Sequence, residues 1–203
     1  AFESFYKEIN MFGETLGNTK CVYNAGFYLE HPMDNKILTL GRNWNNSYAD
    51  LEWEWYLSEN RSVSEIKKVA KIWDRMHNGD DIVNSNYGYQ WNRNDQLDFA
   101  INELKTNPNS RRAVITIYDG KDWSIHEKDT PCTLNVVFNL VNNKLCMSVL
   151  MRSNDLWFGF CNDQYCFSKL QELVAKRLDK EIGWYYHFAS NLHLYEQHLN
   201  KNI

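Results

Sequence analysis

Cys132 stands in the segment KDTPCTLNVV, directly after Pro131 and at the mouth of an expected strand, where a side chain can face a cleft. A thiolate is a strong nucleophile when nearby positive charge draws its pKa down from about 8.5. A cysteine without such charge is a small buried apolar group, and Cys21, Cys146, Cys161 and Cys166 keep that description. Two arginine pairs, Arg111-Arg112 and Arg152-Ser153, fall at the ends of patterned segments. Guanidinium groups grip phosphate with two parallel bonds, and a serine hydroxyl is a useful companion; adjacent arginines also occur as solvated turns. Glu52 lies between Leu51 and Trp53. Burial there would raise its pKa and suit it to proton transfer, whereas exposure on the first turn of a helix would leave it ordinary. His193 and Tyr195 in LHLY can offer two hydrogen-bonding groups on one side of an extended segment. The spacings of His187, His193 and His198 do not match H-E-x-x-H, so no metal is expected. With neither G-x-G-x-x-G nor G-x-x-x-x-G-K present, kinase and dinucleotide chemistry lose their best support.

These residues need elements to hold them. Residues 51–57 form a short apolar run. Ser62 and Glu65 resemble a capping box, and Ile66, Val69, Ala70, Trp73 and Met76 follow at helical spacing. Asn94 can cap a helix with the stripe Leu97, Ala100, Ile101 and Leu104, ended by the NPNS turn at 107–110. After that turn the texture becomes β-branched: strands are predicted at 113–118, 134–141 and 144–151, with Asn142-Asn143 as a hairpin turn. Helical spacing returns over 163–178, a strand follows at 182–190, and a short amphipathic helix closes the chain. Strands and helices without strict βαβ alternation indicate α+β.

The chain has 203 residues, with 43% hydrophobic and 24% charged, and reads as one domain over 1–203. Eight Trp, twelve Tyr and ten Phe can fill a sizeable core. A net charge of -4 argues against direct nucleic-acid binding. No apolar run approaches a membrane span, and the N-terminus lacks a signal-peptide pattern. Five scattered cysteines without a C-x-x-C pair suit a reducing cytoplasm rather than a disulfide framework.

Seven stretches, in order, resemble the thymidylate synthase superfamily over nearly the whole chain: E-x-x-W-Y-L at 52–57, IWD at 72–74, NYGYQW at 86–91, NPNSRR at 107–112, PC at 131–132, RSNDLWFG at 152–159 and LHLY at 192–195. MRSNDLWFGFCND is most similar to the corresponding run of the phage deoxycytidylate hydroxymethylases, with Asp163 where synthases usually carry asparagine. An amide has a donor and an acceptor for the uracil edge; a carboxylate only accepts, and suits the amine of cytosine with a protonated ring nitrogen 3. Set against a uracil carbonyl it opposes acceptor to acceptor, at roughly 1–3 kcal/mol for each unpaired group. Asp163 also reads as an Asn-Asp cap for a helix opening there, and the two roles are compatible.

The resemblance implies a thymidylate synthase-like fold, a mixed sheet flanked by helices with a sheet face forming a homodimer interface. It implies that Cys132 attacks carbon 6 of a pyrimidine nucleoside monophosphate and that carbon 5 takes a one-carbon unit from 5,10-methylenetetrahydrofolate. Arg152 would lower the thiol pKa and hold phosphate with Ser153, while Arg111 and Arg112 reach the phosphate of the partner subunit. Glu52 would organise water and protons, Asp163 read the base, His193 and Tyr195 hold the sugar, and Trp73, Tyr87 and Asp155 line the folate side. Two departures stand out: GETLGNTK at 13–20 has no arginine for the phosphate, only Lys20, and Met76 replaces a second folate-side tryptophan. The sequence given ends at Ile203, soon after Tyr195, without the capping tail of typical synthases, and an open site favours addition of water. The leading expectation is therefore conversion of dCMP to 5-hydroxymethyl-dCMP. Its rivals are a thymidylate synthase or hydroxymethylase acting on dUMP, and a catalytically silent nucleotide-binding homologue.

Overall fold

Asn142 and Asn143 adopt positive φ, 50° and 63°, which a two-residue hairpin turn of the twist-matched type requires. They join strand β4 (Thr133–Val141) to β5 (Lys144–Met151), and Val141 pairs with Lys144 across the turn. This hairpin is the middle of a sheet seen in a computed structural model that describes residues 1–77, 79–120 and 128–203. On one side β4 pairs antiparallel with the short β3 (Val114–Thr116). On the other, β5 runs parallel to β7 (Glu181–Tyr195), which pairs antiparallel with β2 (Thr19–Leu29), itself paired with β1 (Glu14–Leu16). The two-residue β6 (Asn154–Asp155) continues the line of β5 along β7 after a break at 152–153. The sheet is thus mixed, in the order β1-β2-β7-β5-β4-β3, and the class is α+β as expected.

Helix α6 (Gly159–Leu178) lies across this sheet, burying Phe160, Phe167, Leu170 and Val174 against Phe138, Met147, Val149 and Tyr185. Around it stand α1 (Phe2–Phe12), α2 (Asn46–Leu57), the short α3 (Trp73–Met76), α4 (Tyr87–Asn92) and α5 (Gln96–Thr106). The stripe Leu97, Ala100, Ile101 and Leu104 is buried on α5 as its spacing foretold. Among the described residues no helix is long and apolar enough to cross a membrane.

Several expectations need correction. The helix expected from Ser62 to Met76 is a loop with a 3-10 turn at Ile66–Lys68 and the one-turn α3. Ser62 bridges to Ile82 in extended form, and its hydroxyl meets Ser64, so it caps nothing. Asn94 sits at φ 56° in a 3-10 turn before α5 rather than capping it. Helix α6 opens four residues before Asp163, which places that residue inside the helix and removes the cap reading. Strand β7 runs five residues past the expected end at 190, and only a 3-10 turn, Glu196–His198, follows it.

A candidate active site between two strand ends and two helices

Cys132 immediately precedes β4, and the break between β5 and β6 lets the next chain segment turn toward it. The Arg152 backbone N–H donates to the Cys132 carbonyl at 2.8 Å. Its guanidinium donates to the Pro131 and Thr130 carbonyls at 3.1 and 2.8 Å, and Nη2 lies 3.7 Å from Cys132 Sγ. The arginine therefore clasps the Cys132 loop from the side. That loop is also pinned from behind: buried Asp129 accepts from the backbone N–H groups of Asn84 and Ser85 at 2.6 and 2.7 Å, and from the Ser85 hydroxyl.

Arg152 pulls the Cys132 thiol down, but burial pushes it up first, and the carboxylates of Asp163, Asp129 and Asp155 add to that push. Burial wins in the isolated chain, and the thiol stands at about 11. Arg152 thus acts on the thiol in the expected direction, and burial with the acidic surroundings outweighs it.

Asp163 is half-buried on α6, and its Oδ2 accepts from Asn154 Nδ2 at 2.7 Å. Burial raises its pKa to about 7, with Asp155 adding to the rise and the Asn154 donor opposing it. Asp155 is itself raised by burial to about 6, against the backbone N–H groups of Trp157 and Phe158 and the charge of Arg42. Glu52, on α2, is only 5% exposed. Its Oε1 accepts from the Tyr48 and Tyr56 hydroxyls at 3.1 and 3.4 Å, while Oε2 is buried without a partner. Burial lifts it to about 8, and the negative charge of Asp163 contributes. The exposed first-turn reading of Glu52 is excluded.

The folate-side candidates are held from behind. Trp73 donates its indole N–H to the Tyr48 hydroxyl at 2.9 Å, so two hydrogen bonds tie it to Glu52. Tyr87 stacks on Phe167 at 5.6 Å, and Cys132 and Asp163 both push its hydroxyl pKa up after burial. His193 and Tyr195 share one side of β7, with rings edge to face at 5.4 Å. His193 Nδ1 meets Asn191 Oδ1 at 3.0 Å, and burial keeps the ring neutral. Burial raises the Tyr195 hydroxyl pKa, and Asp155 and Cys132 add to the rise, which puts the end of the LHLY segment within electrostatic reach of Cys132. Ser153, half-buried, lies in the strand break beside Arg152.

Arg111 and Arg112 are not brought to this site within one chain. They precede β3, which pairs Val114 with Val137 and Thr116 with Asn135, so they lie toward the end of β4 opposite Cys132. Arg112 is paired with Glu103 at 2.8 Å, and Arg111 is exposed. Sequence reasoning gave no role to Asp129, Asn154, His187 or the tyrosines on Glu52, although Asp129, Asn154 and Tyr56 lie within quoted motifs. Asp129 and the Asn154–His187 pair join distant segments, whereas Tyr48 and Tyr56 stand four residues either side of Glu52 on one helix, a spacing that could have revealed them.

Comparison with known proteins follows this geometry. A family model described as Thymidylate synthase matches residues 15–202. Thymidylate synthase 1 of Bacillus spizizenii is 30% identical over 171 residues, covering 77% of this chain and 59% of that protein. A deoxyuridylate hydroxymethyltransferase of Pseudomonas phage M6 is 32% identical over 179 residues, covering 84% of this chain and 50% of that one. Among solved structures, thermostable thymidylate synthase A from Bacillus subtilis superposes with a TM-score of 0.77 at 23% identity, over 97% of this chain and 79% of that chain, which establishes a shared fold. The chain spans about 59% of the length of the first curated relatives it matches.

Proposed function

The chain belongs to the thymidylate synthase family, and from that premise we propose that it is a folate-dependent 5-hydroxymethyltransferase acting on dCMP as a homodimer. The observation that carries the reading is the Asp163 carboxyl, bound on one oxygen by Asn154 and close enough to Cys132 to shift its thiol. A carboxyl titrating near neutrality can share one proton with ring nitrogen 3 while accepting from the exocyclic amine of cytosine. Uracil offers a carbonyl at that edge, which the ionised carboxylate would oppose.

In this reading the Cys132 sulfur, its negative charge balanced by Arg152, forms a bond to carbon 6 and the ring electrons move to carbon 5. Protonation of Asp163 removes one of the charges that hold the thiol high, so base binding and thiol activation favour each other. 5,10-Methylenetetrahydrofolate supplies the one-carbon unit as co-substrate. The residues that the resemblance assigns to it are Asp155, whose carboxyl is raised, and the rings of Trp73 and Tyr87, largely buried and tied to Glu52 and Phe167. Loss of the carbon 5 proton with departure of tetrahydrofolate would leave an exocyclic methylene; water then adds to it, and the sulfur leaves as the 5,6 double bond re-forms. Glu52, with one oxygen fixed by tyrosines and the other buried and unpaired, suits the holding of that water. The neutral His193 and the Tyr195 hydroxyl suit the sugar.

A homodimer is supported by the outer sheet face, where Tyr28, 62% exposed, packs on Trp184 and Tyr186 at 5.5 and 4.6 Å. Such an aromatic surface suits a partner copy, and Arg111 and Arg112, stranded in one chain, would then complete the phosphate site of the other. A second reading, with dUMP as substrate, is favoured by the name of the Pseudomonas phage relative.

The test is incubation with methylenetetrahydrofolate and either dCMP or dUMP, with products identified by mass. We expect 5-hydroxymethyl-dCMP, and Asp163→Asn should shift the ratio of kcat/KM toward dUMP by about 10- to 100-fold. Conversion of dUMP to thymidylate with dCMP inert would overturn the reading.

A further inference from the structure

Base choice at Asp163 depends on which way its carboxyl is held, and a buried polar group keeps one orientation only where its neighbours impose it. Asn154 Nδ2 donates to Oδ2, but an amide can turn end for end, and turned it would set oxygen against oxygen. The far side of Asn154 decides the matter. Its Oδ1 faces His187 Nε2 at 3.0 Å, and His187 Nδ1 faces the Tyr185 hydroxyl at 2.6 Å. Burial keeps His187 far below its ordinary pKa, at about 3, so the ring is neutral and carries a single proton.

One proton arrangement satisfies every group. The carboxylate needs the Asn154 N–H; Asn154 Oδ1 then needs a proton on His187 Nε2; Nδ1 must accept, and Tyr185 O–H supplies it. The Tyr185 end is wholly buried, so the chain of bonds reaches no solvent and is a brace rather than a proton path. Gly159 adds an independent sign of close fit. A Cβ there would come within 3.1 Å of Asn154 Nδ2 and 3.2 Å of Asp163 Oδ2, so the start of α6 passes directly over this bond.

We propose that Asn154 and His187 are positioning residues that lock the Asp163 carboxyl through one oxygen, and that this lock, built on the dCMP reading above, sets the choice between amino- and oxo-pyrimidine nucleotides. The aromatic ring of a phenylalanine can occupy the space of His187, which already packs on Phe27 and Phe160, whereas glutamine retains an N–H donor. Two readouts separate the lock from the substrate reading. The first is the dCMP-to-dUMP ratio of kcat/KM, expected to fall about tenfold or more in Asn154→Ala and His187→Phe and to recover in His187→Gln. The second uses ligand-free protein: the Asp163 carboxyl, followed by carbon NMR, should titrate about one pH unit higher in Asn154→Ala, because a donor to its charged form is gone.

Glu52, Asp155, Cys132, Tyr87, Tyr185 and Cys166 also face that carboxyl field, and all remain in every variant, so the shift is read against the parent protein. A wild-type protein indifferent to dCMP would defeat the substrate reading while leaving the titration to judge the lock. An unmoved Asp163 titration in folded Asn154→Ala, or selectivity unchanged in folded His187→Phe, would overturn the lock. Should either fold poorly by thermal melting, Gly159→Ala, which presses on the same bond from the helix side, must show the same loss of selectivity or the proposal fails.

Discussion

Glu52 shows how a single residue can trade stability for chemistry. Its carboxyl sits among tyrosines with one oxygen unpartnered, and burial lifts it from 4.5 to about 8. The folded state therefore favours the protonated form. Its contribution to stability is complete below the unfolded pKa and declines as pH rises toward and through 8. Glu52→Gln carries no titrating group, so its advantage over the parent should grow from near nothing at pH 4 to at most ~5 kcal/mol above pH 9. Asp163 and Asp155 slope in the same direction, but both proteins share them and they cancel in the difference. Urea melts of the two proteins at both pH values would check this, and equal pH profiles would remove Glu52 from the list of buried, raised carboxyls. Its neighbours Leu51 and Trp53 left burial and exposure of Glu52 both open, and Leu51 is itself exposed, so the burial comes from other elements. The orphaned oxygen was not foreseeable, since the two hydroxyls on the other oxygen depend on how Tyr48 and Tyr56 turn.

Elements were legible where their period is local. The β4–β5 hairpin declared itself through two β-branched runs and an Asn-Asn turn, and α5 through its stripe. The segment after Ser62 misled because its apolar residues share no face: Ile66 and Trp73 are buried while Val69 is 54% exposed. Val63 and Val83 exchange backbone bonds with Asp81 and Arg61 at 2.8 and 3.1 Å, closing a loop against Trp55 and Trp73 rather than winding a helix. No element was expected over residues 1–30, although Phe2, Phe5, Tyr6 and Ile9 of α1 stand at helical spacing. Within the site, Cys132, Arg152 and LHLY were readable as motifs, while the Asn154–His187–Tyr185 brace spans two strands and could not be. Helix contact makes its own prediction. A Cβ on Gly88 would overlap the Tyr56 carbonyl oxygen, so α4 approaches the C-terminal turn of α2 as only glycine allows. Gly88→Ala should cost roughly 3 kcal/mol or more and lower Tm by about 6 °C or more, since backbone rather than a flexible side chain must move. Calorimetry of that variant, with Gly120→Ala in open space as control, decides it.

At the scale of the whole molecule, the placement of Arg111 and Arg112 is the strongest reason to expect function from two copies. In one chain they lie toward the end of β4 opposite Cys132, one without an ion pair among the described residues and the other held by Glu103. If a partner's pair completes each site, a protein lacking both arginines and a protein lacking the nucleophile are each inactive for different reasons. Mixed dimers would then contain one site with both defects and one with neither. Random exchange makes half the dimers mixed, each with one intact site, so Cys132→Ser mixed equally with Arg111→Ala/Arg112→Ala should regain about a quarter of parental activity. The exchange is run by partial unfolding and refolding of the two proteins together, with tritium release from carbon 5 of the nucleotide as the assay. Mixing without refolding supplies the baseline. Activity that stays at that baseline, in a mixture shown by mass to contain mixed dimers, would mean that the arginines serve their own chain or none. Recovery would also account for the high thiol of the isolated chain, because an arriving pair of guanidinium groups adds the positive charge that Arg152 alone cannot supply against three carboxylates.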